Sequence, residues 1–315
     1  MLKNEKYVKA LLDISKRDLE AAKILYENKL YPQAIFYLQQ SIEKSTKCAF
    51  LSLGIIDVKD LRKISHNVVI ISQKLFEKAS ERLKWLENLK DPKFEKKALE
   101  IFKKFKNVFG ESFTIEEIER FRENIETYKR KLEKLSKAYS NASELASSLK
   151  DSDVVTALRQ ANSHLKELEK LKNQNIDITD KDALEFRNEM LKVIREIKNE
   201  FKNYLSPQEI EAENKIKKLD IYTIKEFLEE SSKLGLLLGS LSKLIEIFYS
   251  LATPIYFHAS LARYPRDNFN PLEFYTEDYP LVKYFNSIVK VQEKALECFD
   301  EVLDRLSNFN RYVQN

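Results

Sequence analysis

Residues 31–53 read YPQAIFYLQQSIEKSTKCAFLSL, and this stretch decides the fold. Ile35, Leu38, Ile42, Ser45 and Ala49 recur at the three- and four-residue steps that place them on one face of an α-helix. Gln40, Glu43, Lys44 and Lys47 interrupt the opposite side. Pro32 suits the first turn, where a missing N–H costs nothing, and Gly54 suits the C-terminal cap. Upstream, Val8, Leu11, Leu12, Ser15, Leu19, Ala22 and Tyr26 mark a second amphipathic helix over residues 4–28. The connection between the two is short enough to force an antiparallel hairpin.

The remaining composition extends this reading to the whole chain. Strands need turns rich in Gly, Pro and Asn-Gly pairs, yet the 315 residues contain four glycines and seven prolines. With 33% charged residues and helical periodicity almost everywhere, the expected fold class is all-α. The length suffices for one large domain or two smaller ones.

No apolar run approaches the ~20 residues that span a bilayer. The longest candidate, residues 234–249, is interrupted by Gly235, Gly239, Ser240, Lys243 and Glu246, so no membrane partner is expected. The N-terminal stretch is charged throughout and lacks a signal-peptide core, which makes the cytoplasm the expected location. Cys48 and Cys298 lie within apolar helical stretches and read as buried thiols. Pairing them requires the first and last helices to pack together. Richness in Lys, Glu and Ile with few Met, Cys and Trp fits a thermophilic source, and equally an AT-rich genome. Charge is uneven: residues 1–110 hold 23 Lys/Arg against 14 Asp/Glu, while the net charge of the whole chain is only +4. Such asymmetry marks a surface able to meet an anion.

Further along, Ser65 can cap a helix over residues 65–88. Residues 93–109 form a basic, aromatic amphipathic helix in which Phe94, Phe102, Phe105 and Phe109 alternate with lysines. Helices over 115–149, 151–171 and 179–204 read as long antiparallel hairpins. Pro254 is expected to bend or interrupt an apolar helix begun near residue 234. Residues 263–275 make the chain's one Pro-, Asn- and aromatic-rich loop of any length, and a last helix runs from 276 or 277 through 309.

The first two helices, the His66-Asn67 helix start, and Arg263-Tyr264-Pro265 leading into a final helix together resemble the HEPN (higher eukaryotes and prokaryotes nucleotide-binding) family. The resemblance covers about residues 5–75 and 255–308. It implies an up-and-down helical bundle built from residues 1–90 and 234–315, with residues 91–233 as a helical insertion. It further implies frequent homodimerisation and work connected with nucleotides or RNA. A small nucleotidyltransferase partner in a toxin–antitoxin or defence setting is implied as well, with no cofactor. Some members of the family are metal-independent endoribonucleases that use Arg, four to six residues, then His. Here His258 precedes Arg263, and Arg62 and His66 are separated by three residues.

Several residues are therefore candidates, each with two readings. Glu43 and Lys47 stand in the order favouring a local ion pair. They are either a solvated pair or, with Gln40, the wall of a polar groove that holds a phosphate. His66 either caps a helix start or acts as an acid or base on RNA. Arg263, Tyr264 and Arg266 either pack their loop or bind phosphate and stack a base. Should the chain be catalytic, His258 and Arg263 are the expected pair. His164, among Lys166, Glu167 and Glu169, reads as a surface residue. No phosphate-binding glycine loop, zinc spacing or other metal-ligand set is present in the sequence. A helical scaffold whose inserted hairpins carry an interaction surface is the remaining alternative.

Overall fold

The computed structural model describes residues 5–54, 56–63, 142–200, 216–265 and 269–314. Among them every regular element is a helix: α1 (Glu5–Glu27), α2 (Tyr31–Ser52), α3 (Val58–Lys63), α4 (Ala142–Ser147), α5 (Asp151–Lys172), α6 (Asp180–Glu200), α7 (Ile221–Ile255), α8 (His258–Leu261), α9 (Pro271–Phe274), α10 (Pro280–Lys283) and α11 (Phe285–Gln314). The chain divides into two compact units. Residues 1–84, 123–172 and 237–315 form the first; residues 85–122 and 173–236 form the second.

The first unit is built on the α1–α2 hairpin. Helix α1 ends with Lys29 in the left-handed region at φ 60°. The Lys29 N–H donates to Tyr26 O at 2.9 Å and the Leu30 N–H to Leu25 O at 2.9 Å, a Schellman motif that satisfies two last-turn carbonyls. Pro32 then sits in the first turn of α2, and Gly54 follows α2 at φ +66° with its N–H on Leu51 O. The buried face of α1 (Val8, Leu12, Ser15, Leu19, Ala22) meets Ile35, Leu38, Ile42 and Ala49 of α2. Helix α11 closes this core with Phe285, Ile288, Leu296, Phe299 and Leu303. Tyr26 stacks on Phe285, centroids 4.2 Å apart and planes 2° from parallel. Along the α1–α11 seam, Lys9 pairs with Asp304, Lys16 with Asp300, and Lys23 with Glu293.

Inside this three-helix contact lies a polar knot. Ser15 Oγ donates to Ser41 O at 2.7 Å, and the Gln292 amide donates to Ser41 and Ser45 hydroxyls at 3.2 and 3.1 Å. Gln292 is fully enclosed, so these bonds fix the register of α11 against α2.

Helix α5 adds Val154, Leu158, Ala161, Leu165 and Leu168 to the same core, although its residues belong to the 91–233 segment. Residues 237–255 of α7 add Leu241, Leu244, Ile247, Phe248 and Leu251. Three boundaries differ from the sequence expectation. Helix α7 begins at residue 221 rather than near 234, and Pro254 falls in its final turn, where only one N–H bond is lost and no interruption results. At 35 residues, α7 is also long and apolar enough to cross a membrane, contrary to expectation, while much of it is buried within the protein. The last helix is preceded by the separate turns α9 and α10, because Pro271 and Pro280 each start a new helix.

In the second unit, Ile178, Ala183, Ile224 and Leu228 form a small core between α6 and residues 221–236 of α7. Asp182 and Asp220 each accept bonds from a threonine at a helix start, which holds both carboxyls below the usual range.

Candidate functional site

The site grows from one stripe of α2 in the first unit. Phe36, Gln40, Glu43 and Lys47 lie within about 60° of one another around the helix, a stripe roughly 16 Å long. At its N-terminal end the guanidinium of Arg263 stands 4.9 Å from the Phe36 ring centroid and 5.0 Å from that of Tyr264. Phe36 meets Tyr37 edge-on at 5.3 Å. Arg263 and Tyr264 are exposed, Tyr264 by 56%. Among the described residues no carboxylate pairs with Arg263; its charge rests on aromatic faces.

Further along the stripe the charges are enclosed and matched. Glu43 is 2% exposed, accepts from the Gln39 amide at 3.0 Å, and is held by Lys47. The Gln40 amide donates to Gln39 Oε1 at 2.7 Å, and Lys44 donates to Gln40 Oε1 at 3.0 Å. Lys44 also reaches Asp18 of α1 at 2.6 Å. The Glu43–Lys47 pair is thus part of a buried ladder, not a solvated pair. Each lysine already faces a carboxylate, so the ladder is close to neutral and rigid, and the unneutralised charge of the stripe is that of Arg263.

Arg263 is positioned by a buried relay. His258, 1% exposed, has Nδ1 2.7 Å from the Tyr275 hydroxyl and Nε2 3.3 Å from that of Tyr279. Tyr279 donates its own proton to Ala146 O at 2.9 Å, so its oxygen accepts from His258 Nε2–H. The Nδ1 lone pair is then left for the Tyr275 O–H. The relay runs Tyr275, His258, Tyr279, Ala146, and every polar atom in it is satisfied with the imidazole neutral. Burial lowers the His258 pKa to about 3 and pushes both tyrosines upward. Phe269 and Phe274 pack around these rings. The fastened segment brings the turn after α8 over Phe36.

His258 and Arg263, near neighbours in sequence, therefore face different surroundings: one is enclosed by tyrosines, the other lies open on the surface. His66 and Arg266 lie outside the described residues, as does the basic helix of residues 93–109. One sequence expectation needs revision. His164 is no free surface residue: its Nδ1 is 3.0 Å from Glu246 Oε2, beside Lys243, which also holds Glu167 at 2.8 Å. Burial alone would raise the Glu246 carboxyl, but His164 and Lys243 keep it below its ordinary value. Cys48 and Cys298 are separate buried thiols, and Cys298 contacts Lys172 instead. Among the described residues no group of His, Cys, Asp and Glu converges as a metal ligand set.

Comparison with known proteins finds a likeness over the N-terminal part of the chain. The HEPN domain model matches residues 8–95. Over that span the chain is similar to the HEPN domain. A Methanocaldococcus jannaschii protein described as "Putative toxin MJ1304" is 31% identical over 80 residues, 25% of this chain and 53% of that protein. The chain thus spans about half the length of the relative it matches. No solved structure matches it. The HEPN match contains α1 from residue 8 onward, α2 and the whole α2 stripe, whereas Arg263, Tyr264 and the relay come from beyond it. The tyrosine relay was missed from sequence. A Tyr at 17 and 21 residues after a His carries no local signal.

Proposed function

We propose that this protein is a nucleotide- or RNA-associated binding module of the toxin type. On this reading Arg263 contacts a phosphate, and Tyr264 with Tyr37 and Phe36 stacks a base. The HEPN match and the toxin description of the relative support the setting. The observation that carries the reading is Arg263 itself: an exposed guanidinium held between aromatic faces beside an exposed tyrosine. Every base offers a π-face, so this platform favours single-stranded nucleic acid without strong sequence preference. The cytoplasm, homodimerisation and a small nucleotidyltransferase partner belong to the same proposal.

The endoribonuclease alternative needs an exposed acid or base beside Arg263. His258 is buried and neutral, which supports binding over cleavage by this pair. The test is fluorescence anisotropy with a labelled ten-nucleotide oligouridine, in EDTA, with gel analysis of the RNA afterwards. Wild type should bind and leave the RNA intact. Tyr264→Ala should weaken binding by roughly 1–3 kcal/mol. Arg263→Ala should weaken it and flatten its salt dependence by about one phosphate contact. Equal binding by all three proteins would sink the platform. RNA cleavage lost in Arg263→Ala would replace binding with catalysis.

A further inference from the structure

One helical turn beyond Phe36, the Gln40 amide belongs to a chain of hydrogen bonds whose direction is fixed from both ends. At one end stands the Glu43 carboxylate, which can only accept, so the Gln39 amide turns its Nε2–H toward it at 3.0 Å. Gln39 Oε1 is thereby left facing Gln40 and accepts from Gln40 Nε2 at 2.7 Å. At the other end the Lys44 ammonium, which can only donate, reaches Gln40 Oε1 at 3.0 Å. Both ends dictate the same orientation, and together they hold the Gln40 amide against flipping. The charges that fix it are themselves matched, Glu43 by Lys47 and Lys44 by Asp18.

A primary amide carries two N–H donors on its nitrogen and two acceptor lone pairs on its oxygen. Gln39 is enclosed, whereas Gln40 is half-buried, and among the described residues the Gln40 amide makes only the bonds to Gln39 and Lys44. One N–H and one Oε1 lone pair therefore remain, side by side, at the partly open end of the chain. Side chains four positions apart on a helix are neighbours, about 6 Å between Cβ atoms. The spare donor and acceptor thus flank Phe36 and the Arg263 guanidinium held over its ring.

An unpaired nucleobase presents the complement of this pair, an acceptor beside a donor: O4 and N3–H of uracil, or N1 and N6–H of adenine. We propose that Gln40 reads the Watson–Crick edge of the base stacked on the aromatic platform, so that the site takes nucleotides whose edge is open. This role rests on the platform proposed above, where Arg263 and the rings supply affinity and Gln40 adds the requirement for a free edge.

The test is fluorescence anisotropy of the full chain with three labelled ten-nucleotide homopolymers: oligouridine, oligo(5-methyluridine) and oligo(N3-methyluridine). All three keep the phosphates and the π-face, and only methylation at N3 removes the N3–H and fills the edge. Wild type should bind the first two alike and the third roughly tenfold more weakly, the loss expected for a broken bidentate contact. Gln40→Leu, with an unchanged circular dichroism spectrum, should bind oligouridine roughly tenfold more weakly and no longer distinguish the N3-methylated strand. Equal wild-type affinity for oligouridine and oligo(N3-methyluridine) would overturn the role of Gln40 and leave the platform standing. Discrimination preserved in Gln40→Leu would assign the edge to another group and overturn that role as well. Binding of none of the three strands would remove the platform and the edge reader together.

Discussion

Acidification offers the sharpest probe of the relay behind Arg263. The His258 pKa is lowered from 6.5 to about 3 by burial. A group whose folded pKa lies below its unfolded value takes up protons preferentially when unfolded, so its contribution is present above pH 6.5 and is lost as pH falls toward 3. Between pH 7 and pH 4.5, proton linkage at this one residue costs on the order of 2–3 kcal/mol of stability. Urea unfolding of wild type and His258→Gln at several pH values isolates the term, because carboxylates titrate in both proteins and cancel in the comparison. The wild-type curve should fall more steeply by about that amount, although the variant starts lower for want of the imidazole bonds. In the folded wild type the His258 ring protons should show no titration near neutrality by NMR. Parallel pH profiles, or a ring titrating near pH 6.5, would refute both the relay and its tautomer.

Other substitutions test separate parts of the argument. Lys29→Gly should stabilise the protein by roughly 0.5–1 kcal/mol in thermal or urea unfolding, because glycine adopts φ 60° without a Cβ penalty. Lys47→Met removes the cation beside enclosed Glu43 and should cost about 3 kcal/mol, while the double variant with Glu43→Gln should recover much of that. Phe285→Ala, which deletes the ring stacked on Tyr26, should cost about 3–5 kcal/mol.

The parts of the molecule legible in the sequence are those fixed within one or two helical turns. The α1–α2 hairpin followed from periodicity plus Pro32 and Gly54, and its ends fell within a residue or two of expectation. Lys29, not the more permissive Asn28, adopts the left-handed conformation, because Leu30 must reach back to Leu25 for the Schellman bond. Helix α7 looked shorter than it is, since Lys225, Glu226, Glu229 and Glu230 broke the apolar run without breaking the helix. At the candidate site, Arg263, Tyr264 and the Gln40–Glu43–Lys47 group were visible as residue types. Their environments were not. Whether Glu43 is solvated depends on helices packed over α2. His258 is enclosed by tyrosines whose positions are set by the turns at Pro271 and Pro280. His164 finds Glu246 only because α5 and α7 share a core.

The ladder between α1 and α11 has a consequence for how the chain is made. A polypeptide emerges from the ribosome in order, and α2 ends at residue 52 while α11 starts at residue 285. At roughly 5–20 residues per second, the α1–α2 hairpin waits on the order of 10–50 s for the helix that covers Ile35, Leu38 and Ile42. During that interval Lys9, Lys16 and Lys23 lack Asp304, Asp300 and Glu293, and Ser41 and Ser45 lack Gln292. The nascent hairpin is consequently the stretch most exposed to holdase chaperones, and a stalled ribosome would display an apolar helix pair whose Lys16 has lost its α11 acid while Lys9 and Lys23 keep only Glu5 and Glu20 of their own helix.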